Sequence, residues 1–128
     1  MRISDFVLIT SVLHLFAYHT GRRWEVLLAF AVSAAVNFAV KRVTKKPRPG
    51  FPDELVSFYS GHTATAFVGF GVLFMRESPY AAFAALMLAV AVGYGRISER
   101  RHDFKDVVIG AAAGTFYGAV IPALIAGF

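Results

Sequence analysis

Five apolar stretches separated by polar segments constrain this chain more than any other feature of its sequence. Several of them hold roughly 15–17 residues, which at about 1.5 Å per helical residue give about 25 Å, the short end of what spans a bilayer. The sequence therefore predicts an all-α fold, a multi-pass transmembrane bundle of about five helices that forms a single domain over residues 1–128. The approximate bounds of the stretches are 3–18, 24–40, 61–75, 79–95 and 106–128.

Composition supports a membrane protein. The chain is 57% hydrophobic and 16% charged, and a small soluble domain could bury such a sequence only by leaving much of its surface apolar. Its net charge of +5 would suggest nucleic acid in a soluble protein. Here, however, the basic residues cluster between apolar runs, so we expect anionic lipid rather than nucleic acid as the partner. We expect an integral protein of the cell (plasma) membrane.

Two features of the sequence limit the possible catalytic chemistry and define the nature of the first apolar stretch. Cysteine is absent, which excludes disulfides, a thiolate nucleophile and a cysteine metal site. The first stretch could be mistaken for a signal peptide, but it holds Asp5 and His14 and ends without a small-residue cleavage pattern. We expect it to be a helix of the mature protein.

The connections between the stretches fall into two kinds. Those at 19–23 and 76–79 are short and predict plain hairpins between antiparallel helices. Those at 41–59 and 96–105 are longer and hold most of the polar residues. Because the chain crosses the membrane between successive connections, the two long loops should lie on the same face. They can therefore build one site.

The first long loop and the helix after it contain groups suited to phosphate. Lys41 supplies a point charge and Arg48, held between two prolines, supplies a planar fork that matches phosphate oxygens. Ser60 stands where a helix N-cap would, and the backbone N–H groups of Gly61 and His62 could then point at an anion. These residues predict a phosphate cradle with His62 beside it.

The second long loop adds a candidate nucleophile. His102 and Asp106 are four residues apart, so the carboxylate could accept a hydrogen bond from one ring nitrogen and leave the other aimed outward. An imidazole oriented in this way can act as a nucleophile. Arg96 supplies a further fork for the same phosphate.

In order and spacing these residues resemble the three-part signature of the type 2 phosphatidic acid phosphatase family, Lys-x6-Arg-Pro, Pro-Ser-Gly-His and Ser-Arg-x5-His-x3-Asp. The resemblance covers residues 41–106 by motif. Tyr59 stands where the family usually has proline, Gly95 stands where it usually has serine, and the five expected helices are one fewer than the family's usual six. The matching positions are Lys41, Arg48, Pro49, Ser60, Gly61, His62, Arg96, His102 and Asp106.

The resemblance implies a metal-free mechanism without a cofactor. His102 would attack phosphorus and form a phosphohistidine, with Asp106 holding its tautomer, while His62 would protonate the leaving oxygen and then activate water. Vanadate should occupy the same site, because the family resembles vanadium haloperoxidases there. The phosphate-binding groups implied are Lys41, Arg48, Ser60, Gly61 and Arg96.

Two rival functions use the same residues. In one, His62, His102, Asp103 or Asp106 would bind a metal ion in a hydrolase, although five converging cations would repel that ion. In the other, the basic loops would serve a non-enzymatic anion channel or a protein that binds anionic lipid.

The sequence leaves several candidates for the substrate and both membrane orientations of the site open. The short segment 50–59 predicts head groups of modest size, such as polyprenyl phosphate or pyrophosphate, phosphatidylglycerophosphate and phosphatidic acid. Ten of the 13 Lys and Arg residues lie on the site face, which by the positive-inside rule would be cytoplasmic. Several of them would bind substrate, however, and related bacterial enzymes often face outward.

Several residues within the helices invite a structural interpretation. Gly110, Gly114 and Gly118 recur at four-residue spacing, which favours close helix packing inside the bundle over contact between two copies in a homo-oligomer. We expect His14 and Asn37 to make polar contacts in the bundle.

Overall fold

The computed structural model describes residues 2–18, 23–76 and 78–125. Within these ranges the chain forms five α-helices, which confirms the predicted all-α bundle. The helices are α1 (Ile3–Tyr18), α2 (Arg23–Thr44), α3 (Gly61–Arg76), α4 (Pro79–Ser98) and α5 (Phe104–Ile125).

The helix bounds extend the predicted ones into the polar loops. α2 continues to Thr44, which places Lys41 in its last turn rather than in the loop. Ser78 caps α4 by accepting a hydrogen bond from the backbone N–H of Tyr80 at 3.1 Å, and Pro79 occupies the first turn, as predicted for this connection. Residue 1, residues 19–22 of the hairpin predicted at 19–23, residue 77 and the last three residues lie outside the described residues.

The helices have the lengths and surfaces of membrane spans. α2, α4 and α5 are long and apolar enough to cross a membrane, while α1 and α3 are shorter apolar helices of 16 residues. Large apolar side chains on the outer faces of all five helices are exposed, which suits contact with lipid. The chain is an integral membrane protein. Examples of these exposed side chains are Phe6, Leu13, Leu27, Phe74, Phe83 and Phe116.

α3 lies at the centre and packs against each of the other four helices. Its contact with α5 depends on the glycines of α5, which let the two backbones meet. A Cβ added at Gly110 would lie 2.7 Å from the Ser60 carbonyl oxygen, and Cβ atoms at Gly114 and Gly118 would collide with the backbone of Ala64 and Val68. Close packing of α5 on α3 brings the ends of these helices, and thus both long loops, together.

The same contact corrects one of the expected alternatives. Gly110, Gly114 and Gly118 are buried against α3 of the same chain, so this glycine face is not available to a second copy. Packing inside the bundle, the favoured interpretation of the spacing, is what the structure shows.

We predict that Gly114→Ala destabilises the bundle, because its methyl group would collide with Ala64 and force α5 away from α3. Overpacking of this kind costs about 1–3 kcal/mol, so the thermal midpoint of the detergent-solubilised protein should fall by several degrees. Ala112 is exposed on the same helix, and Ala112→Val serves as the control. Equal midpoints for Gly114→Ala and Ala112→Val would contradict the close contact.

Candidate active site

Backbone and side-chain contacts join the two long loops into one site, as predicted. The Gly50 N–H donates to the Arg100 carbonyl at 2.9 Å, and the Ser60 N–H donates to the Asp106 carbonyl at 3.1 Å. Gly50 is required where the loops meet, because a Cβ there would lie 2.7 Å from the Cβ of Arg100. The loops are therefore fixed relative to each other.

Ser60 is the N-cap of α3, as the sequence predicted. Its Oγ accepts from the Thr63 N–H at 3.1 Å and donates to the Thr63 hydroxyl at 2.8 Å. The hydroxyl is thus used for capping, so in this structure Ser60 fixes the helix end rather than presenting its Oγ to an anion. The first amides of α3, including that of Gly61, lie at the helix end that attracts negative charge.

Asn37 and Lys41 of α2 lie beside this helix end. The Asn37 amide donates to the Tyr59 carbonyl at 2.7 Å, so its polar contact, expected within the bundle, in fact holds the end of the first loop. A Cβ added at Gly61 would lie 2.8 Å from the Asn37 Oδ1 and 3.8 Å from the Lys41 ammonium. Glycine at this position therefore lets α2 approach and places the Lys41 charge next to the start of α3.

His102 is 1% exposed and lies between α4 and α5. Its Nδ1 donates to the Ser57 carbonyl at 2.7 Å, because a carbonyl oxygen can only accept. The proton therefore sits on Nδ1, and Nε2 keeps its lone pair. Nε2 is buried and has no hydrogen-bond partner within the described part of the chain.

Asp106 does not make the predicted hydrogen bond to His102. Its Oδ2 lies 3.7 Å from Nδ1, too far for a hydrogen bond. The carboxylate instead accepts from the Ser57 hydroxyl at 2.5 Å and the Lys46 ammonium at 2.8 Å. Asp106 therefore acts on the histidine through Ser57, whose carbonyl holds Nδ1.

A capping box explains the position of Asp106. Asp103 precedes α5, and its Oδ1 accepts from the Asp106 N–H at 2.9 Å, while Asp106 Oδ2 accepts from the Asp103 N–H at 3.2 Å. Lys46 spans both carboxylates, at 2.6 Å from Asp103 and 2.8 Å from Asp106. Burial opposes the charge on Lys46, but these two hydrogen bonds outweigh it and raise the pKa of its ammonium.

Three of the cations that the sequence predicts to bind phosphate lie close enough to His102 to affect its charge. Burial and the charges of Lys41, Arg96 and Arg48 lower the pKa of His102 to about 3, although the bond to Ser57 opposes the shift. Arg96 is 2% exposed. The Nε atoms of Arg48 and Arg96 are buried without a hydrogen-bond partner among the described residues. The cluster can therefore hold a neutral histidine beside a bound anion.

Two of the cations each lie near one glutamate. Arg48 lies 3.5 Å from Glu54, and Arg96 lies 3.5 Å from Glu99. Each contact uses one terminal guanidinium nitrogen at a distance near the limit for a hydrogen bond. These two ion pairs orient the guanidinium groups of Arg48 and Arg96 but leave some of their N–H donors without a partner among the described residues.

His62 lies at the start of α3, where its Nε2 is 2.7 Å from Asp5 Oδ1. A carboxylate only accepts, so Nε2 carries the proton in this contact.

Sequence reasoning did not assign a site role to Asp5, Ser57 or Lys46. No sequence motif indicates these three residues, because each is separated from its partner by at least 45 positions along the chain.

Two cavities open beside the site. One of about 290 Å³ lies between α2 and α3, where Asn37, Lys41 and Gly61 line it. A second of about 620 Å³ shares Phe38 and Lys41 with the first and is bordered by the apolar side chains of Leu55 and Val56. The start of α3 and Lys41 therefore border cavities that have both basic and apolar walls.

The site thus combines a buried imidazole, whose Nε2 has no hydrogen-bond partner among the described residues, with nearby cations and a helix N-terminus, all of which suit an anion. Residues 22–127 match the model of the PAP2 superfamily, so the chain belongs to this family. The resemblance drawn from the motifs is confirmed.

Two relatives extend the comparison. The lipid A 1-phosphatase of Porphyromonas gingivalis is 40% identical over 65 residues, which are 48% of this chain but only 15% of that protein. The crystal structure of LpxE from Aquifex aeolicus superposes with a TM-score of 0.75 at 25% identity, covering 95% of this chain and 86% of the other. The two proteins therefore share their fold over nearly the whole of this chain.

We predict that acid destabilises the protein partly through His102. The unfolded chain binds a proton at this residue below about pH 6.5, whereas the folded chain does so only near pH 3. The free energy of unfolding should therefore decrease as the pH falls from about 6.5 towards 3. His102→Asn cannot be protonated but keeps an N–H for the Ser57 carbonyl.

Thermal midpoints of the two proteins in detergent between pH 7 and 5 test this prediction. Carboxylates contribute little in that range, so the wild-type midpoint should fall more steeply than that of His102→Asn. Parallel curves would show that His102 is not held neutral by the fold.

Proposed function

We propose that the protein is a lipid phosphatase that transfers a phosphoryl group to Nε2 of His102 and then to water. The observation that carries the proposal is the state of His102, whose Nδ1–H is held by the Ser57 carbonyl while Nε2 is buried, unprotonated and without a hydrogen-bond partner among the described residues. A neutral imidazole with its lone pair free is the reactive form of a histidine nucleophile.

In the first step the Nε2 lone pair forms a bond to phosphorus while the bond from phosphorus to the lipid oxygen breaks. His62 gives a proton to that leaving oxygen. The phosphorylated imidazole gains positive charge, and the Asp106 carboxylate at 3.7 Å from Nδ1 stabilises it. In the second step His62 takes a proton from water, which attacks phosphorus and releases His102.

Lys41, Arg48, Arg96 and the amides at the start of α3 would bind the phosphoryl oxygens and stabilise charge in the transition state. Their charges supply the electrostatic role of a metal ion. Such charges would repel a divalent ion, which favours metal-independent hydrolysis over the rival metal hydrolase.

The proposed substrate is a lipid phosphate or pyrophosphate in the cell membrane. The cavity beside Lys41 has apolar walls formed by Phe38, Leu55 and Val56 next to basic side chains, which suits a phosphate joined to an apolar tail. Polyprenyl pyrophosphate, phosphatidylglycerophosphate and phosphatidic acid are the candidates, and the Porphyromonas gingivalis relative adds lipid A.

The two histidines can be separated by their leaving-group requirements, in assays with excess chelator. We predict that His102→Asn forms no phosphoenzyme with any substrate. His62→Ala should lose about 10²- to 10⁴-fold in rate with a long-chain lipid phosphate, whose leaving oxygen needs a proton. Nitrophenyl phosphate has an acidic leaving group, so His62→Ala should still be phosphorylated by it and should accumulate the intermediate.

Rapid quenching with labelled substrate measures the intermediate, which should be acid-labile and base-stable. Label on protein that lacks His102, or equal inactivity of both variants toward every leaving group, would contradict the assigned roles. Loss of wild-type turnover in chelator, with recovery on adding magnesium or zinc, would contradict metal independence. Lipid binding without any phosphate release would favour the non-enzymatic rival.

A further inference from the structure

The first turn of α1 touches the site, although it lies outside residues 22–127 that match the family. Two adjacent residues of this turn, Ser4 and Asp5, each contact a residue near the phosphate cradle. The other described helices meet the site through the two long loops or the motif residues. The α1 turn is therefore a part of the site that the family motifs do not include.

Ser4 docks the turn onto the end of α4. It is fully buried, and both its N–H and its hydroxyl donate to the Glu99 carboxylate, at 3.2 and 2.7 Å. The same carboxylate lies 3.5 Å from Arg96. The position of the α1 turn is thus tied to an arginine of the cradle.

Gly95 makes this docking possible. A Cβ at this position would lie 3.0 Å from the Ser4 Cβ, which is too close for most side chains without movement of α1. The glycine that departs from the family's usual serine is therefore the residue that admits the α1 turn.

Docking of Ser4 places Asp5 against His62. The Asp5 Oδ1 accepts from the His62 Nε2–H at 2.7 Å, while its Oδ2 accepts from the Arg2 N–H at 3.2 Å. The side chains of Asp5 and His62 are 28% and 33% exposed, so the contact sits at the mouth of the site. The carboxylate fixes both the ring orientation and the tautomer of His62.

We propose that Asp5 is a positioning residue for the reaction. Its carboxylate holds the Nε2–H of His62, so the second proton of the imidazolium lies on Nδ1. Nδ1 gives that proton to the leaving oxygen, which leaves a neutral ring, and then takes a proton from the attacking water. The site then contains two oriented histidines: Ser57 directs Nε2 of His102 toward phosphorus, and Asp5 directs Nδ1 of His62 toward the leaving group. This inference rests on the proposed phosphatase function.

Asp5→Asn tests the proposal with the protein in detergent and two substrates. With a long-chain alkyl phosphate, kcat should fall about 10- to 100-fold while KM changes little, a smaller loss than removing the general acid itself. With nitrophenyl phosphate the first phosphorylation step should keep its rate, because that leaving group needs no proton. Asp5→Glu should recover part of the alkyl phosphate activity.

Asp53→Asn is the matched control, because it makes the same chemical change at an exposed loop position, and it should behave as wild type. A purely structural role for Asp5 would lower both phosphorylation rates equally and raise KM. That result, or unchanged kinetics for Asp5→Asn, would overturn the proposal.

A measurement without turnover separates this inference from the proposed function. With histidine labelled by ¹⁵N, at a pH where the His62 ring is neutral and with its signals assigned from His62→Gln, the single ring proton should lie on Nε2 in the wild type and move in part to Nδ1 in Asp5→Ala. An unchanged tautomer would overturn the Asp5 proposal even if the protein were an active phosphatase. A shifted tautomer in a protein that hydrolyses no lipid phosphate would uphold the contact and reject the function.

Discussion

The hydrogen bond from His102 Nδ1 to the Ser57 carbonyl is the interaction on which the site depends. It decides which ring nitrogen carries the proton, and it keeps Nε2 available inside a group of cations that would repel a protonated ring. A backbone carbonyl can do this only if its loop is held still. Asp106 provides that restraint by accepting from the Ser57 hydroxyl, and Lys46 neutralises the buried carboxylate.

Helix packing provides the frame for that bond. The glycines of α5 let its backbone approach α3, so the capping box that begins α5 and the N-cap that begins α3 share one membrane face. His102, the Asp106 carboxylate and the first amides of α3 all lie at or beside these helix ends. Since an apolar surface surrounds the bundle, the same packing would place the proposed phosphoryl transfer where a lipid head group can reach it.

Much of this arrangement could be predicted from the sequence. Apolar runs predicted five helices, and the alternation of membrane crossings predicted that the two long loops, with Arg48 and His102, build one site on one face. The partners of the two histidines could not be predicted, because Asp5 and Ser57 meet them across 57 and 45 residues. The predicted hydrogen bond from His102 to Asp106 was wrong for a related reason. The four-residue spacing brings Asp106 near His102, but the Asp106 carboxylate accepts hydrogen bonds from Ser57 and Lys46 instead.

The position of phosphate on the imidazole tests this account most directly. Phosphoenzyme trapped from His62→Ala with nitrophenyl phosphate can be digested and the modified nitrogen identified by ³¹P and ¹⁵N NMR. Because the Ser57 carbonyl holds Nδ1–H, phosphorus should be bonded to Nε2 of His102. Phosphorus on Nδ1 of His102, or on any other residue, would contradict the account.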